Sequence, residues 1–445
     1  MELSVLILAA GKSTRFRSRT SKVLHPLAGR PMILYSVDAA QTFSPYPPTL
    51  VVGDNELQLR ALLGDRVRYV RQDQPLGTGH AVLQAREALQ GEGDAVLVSF
   101  GDMPLLRRET LEAVVDRYRQ LRPTISMLTV VSEDSMAYGR VIRDASGGVV
   151  AVVEEAVASP EQLAIKELNC SVYCFDAAWL WDNLPFLQPS PKGELYLTDM
   201  VGMAVAQGRR VEPVVTYDAD EVLGPNNRVQ LAQAERVLRR RINEELMLSG
   251  VTLLDPNTTY VDHGVKVGQD TTIWPNTFLS GQTTVGEDCH IGPNTFVRDC
   301  HIADRCTVRA SFVEGARIAE DCSIGPFARI RPGTTLDSGV HMGSFGEVKG
   351  SHLGQRVHMG HFSYVGDAEV GAEANIGAGA VTCNYDGETK HRTRIGERAF
   401  VGSGSMLVAP LEIGPGAVIG AGSVVTHDVP AGALVYGVPA RPRRG

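Results

Sequence analysis

An aliphatic residue returns almost every six positions between residues 261 and 425 of this chain. The residues in this repeat are Val261, Val267, Ile273, Leu279, Val285, Ile291, Val297, Ile302, Val308, Val313, Ile318, Ile324, Ile330, Leu336, Met342, Val348, Leu353, Met359, Val365, Val370, Ile376, Ile395, Val401, Leu407, Ile413, Ile419 and Val425. A period of six fits neither an amphipathic helix nor an alternating strand. It is typical of a parallel β-helix, in which each short strand places one aliphatic side chain in a narrow core. The sequence therefore predicts a solenoid here.

The repeat has short irregularities and one long break. Steps of five occur in several places, for example from Val308 to Val313, and the longest gap separates Ile376 from Ile395. An insertion in a repeat protein maps to a loop that leaves one face, commonly the binding face. With three hexapeptides per coil and coils about 4.8 Å apart, about ten coils give a prism on the order of 50 Å long. The flat sides of such a prism suit it to self-association.

The composition is that of a globular protein with more than one domain. A chain of 445 residues exceeds what one core accommodates. The formal net charge of −8 argues against nucleic acid or an anionic membrane surface as the main partner. No apolar run approaches the ~18 residues of a membrane span, and the apolar start lacks the basic flank of a signal peptide. The seven cysteines are expected to be buried thiols in a reducing cytosol, which indicates a cytoplasmic protein.

Residues 1–222 alternate strand-like apolar runs with helical patterns, which predicts an α/β domain with a mostly parallel sheet. The clearest predicted strands are 5–8, 50–52, 95–99 and 125–130. Polar or glycine-rich loops follow the first three, and ligands of open α/β sheets bind beyond the carboxyl ends of strands.

A single amphipathic helix is predicted over 226–247, inside a linker that spans 223–249. Arg239, Arg240 and Arg241 are interpreted as its solvated face. The predicted β-helix domain then occupies residues 250–445.

The loop after the first strand has the sequence LAAGKSTRF. It is not a Walker A loop, because no glycine lies four residues before Gly11-Lys12. The small residues Ala9, Ala10 and Gly11 would still let backbone N–H groups approach a nucleotide closely. Arg15 and Lys22 are suited to neutralising phosphate oxygens. The alternative from spacing alone is a plain strand-to-helix turn with a solvated arginine and lysine.

This loop, together with Ser21-Lys22-Val23-Leu24, resembles the LAAGxGTRM…PK signature of nucleoside-diphosphate-sugar pyrophosphorylases. Further matches follow in order at Gln72, Gly77-Thr78-Gly79-His80-Ala81, Gly101-Asp102-Met103-Pro104, Tyr138-Gly139-Arg140, Glu154-Glu155, Asn169 and Asn226-Asn227-Arg228. Joined to the hexapeptide solenoid, the set is similar over essentially the whole chain to the bifunctional N-acetylglucosamine-1-phosphate uridyltransferases and glucosamine-1-phosphate acetyltransferases of bacterial cell-wall precursor synthesis. Ser13 departs from the usual glycine of the loop.

The resemblance implies that the first domain transfers a uridylyl group from UTP to a sugar 1-phosphate with Mg²⁺ and releases pyrophosphate. It implies that Asp102 and Asn226 hold the metal and that Arg15 and Lys22 stabilise charge on the phosphates. The residues implied to bind UTP or the nucleotide sugar are Leu8, Ala9, Ala10, Gly11, Lys22, Gln72, Gly77, Thr78, Gly101, Gly139, Glu154, Asn169 and Asn226. For Asp102 alone, a turn cap is the structural alternative.

In the solenoid, Arg331 and Lys349 lie 18 residues apart and therefore share one corner of adjacent coils. Stacked like charges repel unless an anion lies between them, so the spacing favours a phosphate pocket over two solvated basic residues. His361 lies in GHFSYVG, and a histidine near a tyrosine and an asparagine can be a structural hydrogen-bonder. Histidine is also apt for proton transfer, because its unperturbed pKa lies near working pH.

GHFSYVG resembles the GHLTYLG segment of the acetyltransferases, which implies that His361 is the general base. The resemblance assigns Arg331, Lys349, Tyr364 and Asn375 to glucosamine 1-phosphate. For acetyl-CoA it implies Ala378, Asn384, Tyr385, Ser403 and Ala421, with Arg441 as a possible substitute for a C-terminal arginine whose place falls near Gly437-Val438. It also implies a left-handed β-helix and a homotrimer, neither of which follows from the period.

Two other functions are compatible with this architecture. One is a single-function sugar-1-phosphate nucleotidyltransferase whose solenoid serves assembly or regulation. The other is a non-enzymatic trimeric scaffold, whose mark would be loss of Lys22, Asp102 or His361. All three residues are present, which favours the bifunctional enzyme.

Overall fold

The computed structural model describes residues 2–442. The chain divides into two compact units, Met1–Leu238 and Arg239–Gly445. The predicted helix over 226–247 is the α-helix Arg228–Leu248, and the division between the units falls inside it. The linker boundaries at 223 and 249 remain a prediction.

The first unit is built on a nine-stranded mixed sheet. Its main path runs Val211–Thr216, Ile125–Val131, Glu167–Asp176, Ala95–Phe100, Leu3–Leu8, Thr49–Val52 and Arg68–Arg71, and the hairpin of Arg140–Arg143 and Val149–Val153 joins at Glu167–Asp176. A separate pair consists of Pro26–Leu27 and Arg30–Pro31. The covering α-helices are Met32–Gln41, Glu56–Leu63, Thr78–Gln84, Arg86–Leu89, Arg108–Leu121, Pro160–Leu163, Ala177–Asn183 and Asp199–Ala206. The 3₁₀ helices of the described chain are Thr14–Phe16, Lys22–Leu24, Gly64–Arg66, Glu155–Val157, Leu184–Phe186 and Pro256–Thr258.

The first strand, Leu3–Leu8, shows why this sheet needs helices on both faces. Leu3, Val5 and Ile7 pack into one apolar cluster, whereas Leu6 and Leu8 pack into another. Such a strand is apolar throughout because both of its faces are buried. All four strands predicted in this half are present. The pairings of the sheet are parallel, except those made by Glu167–Asp176 and those within the hairpin, which are antiparallel.

The second unit is a left-handed β-helix of three parallel sheets. Sheet A contains Thr252–Leu253, Thr272–Ile273, His290–Ile291, Thr307–Val308, Ser323–Ile324, His341–Met342, His358–Met359, Asn375–Ile376, Phe400–Val401, Val418–Ile419, Leu434–Gly437 and, antiparallel to the last of these, Ala440–Pro442. Sheet B contains Thr259–Val261, Thr277–Ser280, Thr295–Arg298, Phe312–Glu314, Arg329–Ile330, Glu347–Lys349, Tyr364–Gly366, Val381–Cys383, Met406–Val408 and Val424–Val425. Sheet C contains Lys266–Val267, Thr284–Val285, His301–Ile302, Arg317–Ile318, Thr335–Leu336, His352–Leu353, Ala368–Val370, Thr393–Ile395 and Leu411–Ile413.

The aliphatic repeat forms the core of this unit, as predicted. Every member of the repeat is buried except Val267, which is half-buried against the same cluster. Steps of five shorten the turns and leave the strands in register, because Val297 still pairs with Val313 at a separation of 16 residues. The residues of the repeat are therefore the side chains that line the core.

The long break after Ile376 is smaller in space than in sequence. Thr382 occupies the missing core position and is buried between Val365 and Leu407 of the neighbouring coils in sheet B. Its hydroxyl accepts a hydrogen bond from Gly366 N at 2.8 Å. Only residues 384–392 leave the coil, and they form the loop that the break predicted.

Three further sequence expectations can be compared with the structure. Six of the seven cysteines are buried free thiols, and Cys383 is half-buried and also free. The predicted solvated face is wrong for Arg239, whose guanidinium lies 4.2 Å from the centre of the Tyr260 ring, and for Arg241, whose Nε and Nη2 atoms are buried. Along the described residues, no helix has both the length and the apolar character required to cross a membrane.

Candidate active sites

An open cleft of about 480 Å³ lies at the carboxyl ends of the strands of the first unit. The predicted nucleotide residues that line it are Leu8, Ala9, Ala10, Gly11, Arg15, Lys22, Gln72, Gly77, Thr78 and Asp102. Gly101 lies beside this set, since its N–H donates to Leu8 O at 3.0 Å. The loop and three separate strand ends therefore meet at one place, as an open α/β sheet requires.

Ser13 shows how the loop accommodates its departure from glycine. Its backbone is left-handed, with φ of 55°, the region that a glycine occupies at no steric cost. The Ser13 hydroxyl donates to Gly11 O at 3.2 Å and accepts from Lys22 N at 3.4 Å. These contacts offset part of the backbone strain and connect the loop to the segment that carries Lys22.

Lys22, Arg15, Asp102 and Asn226 form one polar cluster. Lys22 makes a salt bridge with Asp102 and donates to Asn226 Oδ1 at 3.1 Å. Arg15 donates to the same Asn226 oxygen at 3.1 Å. The carboxylate and the amide oxygen thus face one cation from two sides. Two hard oxygen ligands with room for phosphate and water fit Mg²⁺.

Glu154, Gly139 and Asn169 lie together beyond the cleft-lining residues. Asn169 N donates to Gly139 O at 2.8 Å, and a side chain on Gly139 would approach Glu154 Oε2 at 3.7 Å. Thr198 donates to Glu154 Oε1 at 2.9 Å. Burial raises the pKa of Glu154, so the fold favours its protonated form relative to water.

Glu194 and Tyr196 also line the cleft, and sequence reasoning missed them. The intervening Leu195 contacts the first turn of the helix Thr78–Gln84, because Gly79 N donates to Leu195 O at 2.8 Å. The sequence contains no periodic signal for this contact. The proximity arises from tertiary packing of segments more than 100 residues apart.

The second candidate site extends over two corners of the β-helix, defined by the sheets that they join. At the B–C corner, Arg331 and Lys349 occupy adjacent coils, as predicted from their spacing. Contrary to the prediction, their repulsion does not require a bound anion, since each has a carboxylate partner. Arg331 lies 3.1 Å from Glu347, and Lys349 lies 3.2 Å from Asp367.

Lys390 adds a third basic residue that the sequence did not reveal. It lies on the loop that follows Cys383, close to the amine of Lys349. The nearby Lys349 amine lowers the pKa of Lys390, and the positive charge of Arg331 lowers it further. Three cationic side chains converging on an exposed surface form a place for an anion.

Asp367 connects the two predicted substrate sets at this corner. Besides Lys349, it accepts a hydrogen bond from Asn384 Nδ2 at 2.6 Å. Asn384 was assigned to acetyl-CoA and Lys349 to the sugar phosphate, yet one carboxylate holds both. Tyr385 follows on the exposed loop, where its backbone pairs with Lys390.

At the A–B corner, His361, Ala378, Ser403 and Ala421 form a row through four successive coils. Backbone hydrogen bonds of 2.7–2.8 Å link the carbonyls of His361, Ala378 and Ser403 to the N–H groups of Gly379, Gly404 and Gly422 in the next coil. His361 is exposed, and its Nδ1 lies 3.3 Å from where a side chain on Gly343 would begin. The glycine leaves space for the imidazole, and the residues that follow it in the row have small side chains.

Tyr364 and Asn375 lie on the sheet faces that meet at the A–B corner. The Tyr364 hydroxyl lies over Gly366, where any Cβ would collide with it. Asn375 pairs with His358 in sheet A. Arg441, the possible C-terminal substitute, pairs with Tyr436, which adjoins Gly420 at the end of the row.

Within residues 2–442, no three His, Cys, Asp or Glu side chains converge as metal ligands. The resemblance assigns the implied Mg²⁺ to the oxygens of Asp102 and Asn226, which both contact Lys22.

Comparison with known proteins gives matches in both units. Residues 5–165 match the MobA-like NTP transferase domain, and residues 264–299 and 392–427 match the bacterial transferase hexapeptide model of six repeats. The chain is 45% identical over 437 residues to a bifunctional protein GlmU of Pelobacter propionicus, covering 97% of this chain and 95% of the relative. It is 45% identical over 432 residues to the bifunctional protein GlmU of Heliobacterium modesticaldum, covering 97% and 94%. The protein of the same name from Streptococcus equi subsp. zooepidemicus is 41% identical over 438 residues, covering 98% and 95%.

Proposed function

The chain belongs to the bifunctional GlmU family, and on that premise we propose that it makes UDP-N-acetylglucosamine in two steps at two separate sites. The β-helix unit acetylates glucosamine 1-phosphate with acetyl-CoA. The nucleotidyltransferase unit then transfers a uridylyl group from UTP to N-acetylglucosamine 1-phosphate and releases pyrophosphate. The polar cluster that each unit contains carries this proposal.

In the acetylation step, Arg331, Lys349 and Lys390 bind the phosphate of the sugar. His361 accepts a proton from the amine as the nitrogen attacks the thioester carbonyl, and coenzyme A leaves as its thiolate. Tyr364 and Asn375 contact the sugar ring. Ala378, Ser403 and Ala421 form the groove for acetyl-CoA, with Asn384, Tyr385 and Arg441 at its margins.

In the uridylyl step, the residues position the phosphates and neutralise their charge. Lys22 and Arg15 contact phosphate oxygens of UTP, while the loop of Ala9, Ala10 and Gly11 presents its backbone N–H groups. Asp102 and Asn226 would hold Mg²⁺, and Lys22, which contacts both residues, would then be available to the phosphates. Bound Mg²⁺ supplies neutralisation of the negative charge that accumulates on the phosphate oxygens.

The remaining residues of this site define the two substrates. Gln72, Gly77 and Thr78 contact the uracil, and Leu8 and Gly101 form the floor beneath the nucleotide. Gly139, Glu154 and Asn169 contact the N-acetylglucosamine ring, with Glu194 and Tyr196 on the facing wall of the cleft.

We also propose a cytoplasmic homotrimer. Buried reduced thiols support a reducing compartment. His361 lies at the A–B corner whereas Lys349 and Arg331 lie at the B–C corner, and this division supports a site completed by a neighbouring copy. A single-function nucleotidyltransferase is less well supported, because the β-helix would then have no use for the row at His361.

One coupled assay tests the two activities. The protein is supplied with glucosamine 1-phosphate, acetyl-CoA, UTP and Mg²⁺, and release of coenzyme A and of pyrophosphate is followed separately. We expect both products, with pyrophosphate appearing only after acetylation or when N-acetylglucosamine 1-phosphate is supplied. Pyrophosphate release without any acetyl-CoA consumption would favour the single-function enzyme.

Mixed assemblies test the composite site. His361→Ala and Lys349→Ala chains are coexpressed with different tags, and assemblies that carry both tags are purified. If neighbouring copies share the site, these assemblies regain part of the acetyltransferase activity that each variant lacks alone. If each chain holds its own site, every site keeps one defect and no activity returns.

A further inference from the structure

The side chain of His80 contacts Gln72 at the base end of the nucleotide cleft. Gln72 is 7% exposed and still lines the cleft. Its Nε2 lies 3.2 Å from Gly77 O and 2.9 Å from His80 Nδ1. On the other side of the imidazole, His80 Nε2 lies 3.2 Å from the side-chain amide of Gln84. Three side chains therefore form a continuous hydrogen-bonded row that ends at the cleft.

The backbone fixes which way this row points. Gly77 O can only accept a hydrogen bond, so the Gln72 atom facing it must be the amide nitrogen. The same nitrogen also faces His80 Nδ1, which must therefore accept and be unprotonated. The ring proton of neutral His80 then resides on Nε2 and is donated to Gln84, whose amide must present its oxygen there.

The consequence is a Gln72 amide with both N–H groups in use. Its Oε1 has no hydrogen-bond partner among the described residues and is the atom left for a ligand. A fixed acceptor is complementary to the N3–H of uracil. Cytosine has a lone pair at that position, so the same oxygen would meet another acceptor.

We propose that His80 is a positioning residue that locks the Gln72 amide so that the cleft accepts a pyrimidine with a donor at N3 and rejects one with an acceptor there. This inference rests on the proposed uridylyl transfer and names the origin of its base preference. His80 itself does not touch the nucleotide. Without it, the 3.2 Å contact with Gly77 O is, among the described residues, the one remaining hydrogen bond that orients the amide, so a rotamer that offers nitrogen to the base becomes less costly and cytosine is rejected less strongly.

The test compares UTP with CTP in the full-length enzyme and in His80→Leu and His80→Asn variants, with N-acetylglucosamine 1-phosphate as the acceptor. For His80→Leu we expect about a tenfold lower kcat/KM for UTP, arising in KM, and at least about a tenfold smaller UTP:CTP ratio of kcat/KM. His80→Asn keeps an acceptor oxygen for Gln72 and should retain most of the ratio. Gln84→Leu removes only the hydrogen bond to His80 Nε2, so it should lower the UTP:CTP ratio of kcat/KM less than His80→Leu does.

Acetyltransferase activity and the thermal unfolding midpoint serve as controls for folding. If kcat/KM falls equally for UTP and CTP in His80→Leu, so that their ratio is unchanged, the inference is overturned. If that variant does not fold, an unchanged UTP:CTP ratio of kcat/KM in Gln84→Leu overturns it. A parent enzyme that releases no pyrophosphate with either nucleotide would instead refute the proposed uridylyl transfer.

Discussion

The two units assemble their sites by opposite means. In the first unit, Lys22, Asp102 and Asn226 come from distant parts of the chain and meet because separate strands end at one edge of a sheet. In the second, His361, Ala378, Ser403 and Ala421 come from the same corner of successive coils. The first site therefore depends on long-range packing, whereas the second depends on register along a repeat.

This difference predicts how each site responds to change. A parallel solenoid transmits its register locally, because each coil contacts only its neighbours. The α/β sheet instead buries both faces of its strands, so its strand ends are held by the whole core. Damage to one chemistry should accordingly leave the other unit active.

Replacing Asp102 with alanine should have the largest effect. The variant loses the carboxylate that holds Mg²⁺ and pairs with Lys22, so we expect uridylyl transfer to fall by ~10³-fold or more. Acetyl transfer should stay within a few-fold of normal. Both rates are measured on the same preparation with purified substrates of each step. Loss of both activities in a folded variant would contradict independent sites.

His361→Ala should reduce acetyl transfer by ~10²–10⁴-fold, the range for loss of a general base, while uridylyl transfer persists. His358→Ala is the matched control, because this second exposed histidine precedes His361 by three residues and has no proposed role. Near-normal acetylation in His361→Ala would remove this residue from the mechanism.

Lys390→Gln should raise the KM for glucosamine 1-phosphate about tenfold through loss of a charged contact to the phosphate, with little change in kcat. Because Lys349 lowers the pKa of Lys390, Lys390 loses its charge at a lower pH than an ordinary lysine. The KM of the parent enzyme should therefore rise as pH increases through that lowered pKa. A glutamine at 390 should weaken this rise, and an identical pH profile in both enzymes would exclude Lys390 from phosphate binding.

Thr382→Val tests whether the core position in the long break needs its hydroxyl. The substitution restores an aliphatic residue but leaves Gly366 N without its partner, which should cost ~1–3 kcal/mol of unfolding free energy in the β-helix. Thr382→Ser keeps the hydroxyl and is the control. Urea unfolding followed by acetyltransferase activity measures the effect, and a valine variant at least as stable as the parent would refute this account.

The sequence predicted the β-helix core almost residue by residue, because each member of the repeat had one possible location. It failed at Thr382, where a polar residue occupies the core and is satisfied by the backbone of the preceding coil. A periodicity search for aliphatic residues could not find this position. The gap in the aliphatic repeat, from Ile376 to Ile395, is therefore longer than the loop of residues 384–392.

Contacts between distant segments were the harder part of both sites. The sequence placed Arg331 and Lys349 correctly because register alone determines their proximity. It missed Lys390 and the cleft wall at Glu194 and Tyr196, because a loop and a tertiary contact bring these residues in. Motif resemblance supplied Asp102 and Asn226 as partners, a pairing that spacing alone did not contain.

The smallest expected effect concerns Glu154, whose replacement should stabilise the first unit but weaken binding of the sugar. Burial raises the pKa of this carboxyl in the folded protein above its unfolded value. The stability contributed by the protonated form is present below the unfolded pKa and is lost as pH rises through the folded pKa.

Glu154→Gln should therefore raise the unfolding midpoint of the first unit by about 2 °C at pH 8, and the gain should vanish at about pH 3, where glutamate is protonated in both states. The same variant should bind N-acetylglucosamine 1-phosphate more weakly, because the amide oxygen can still accept from Thr198 but the second carboxylate oxygen is replaced by a donor. Calorimetry at the two pH values, with the acetyltransferase rate as the control, separates these effects. A gain in stability that is independent of pH would show that the charge of Glu154 is not its source, whereas a pH-dependent gain with unchanged sugar affinity would remove Glu154 from the sugar site.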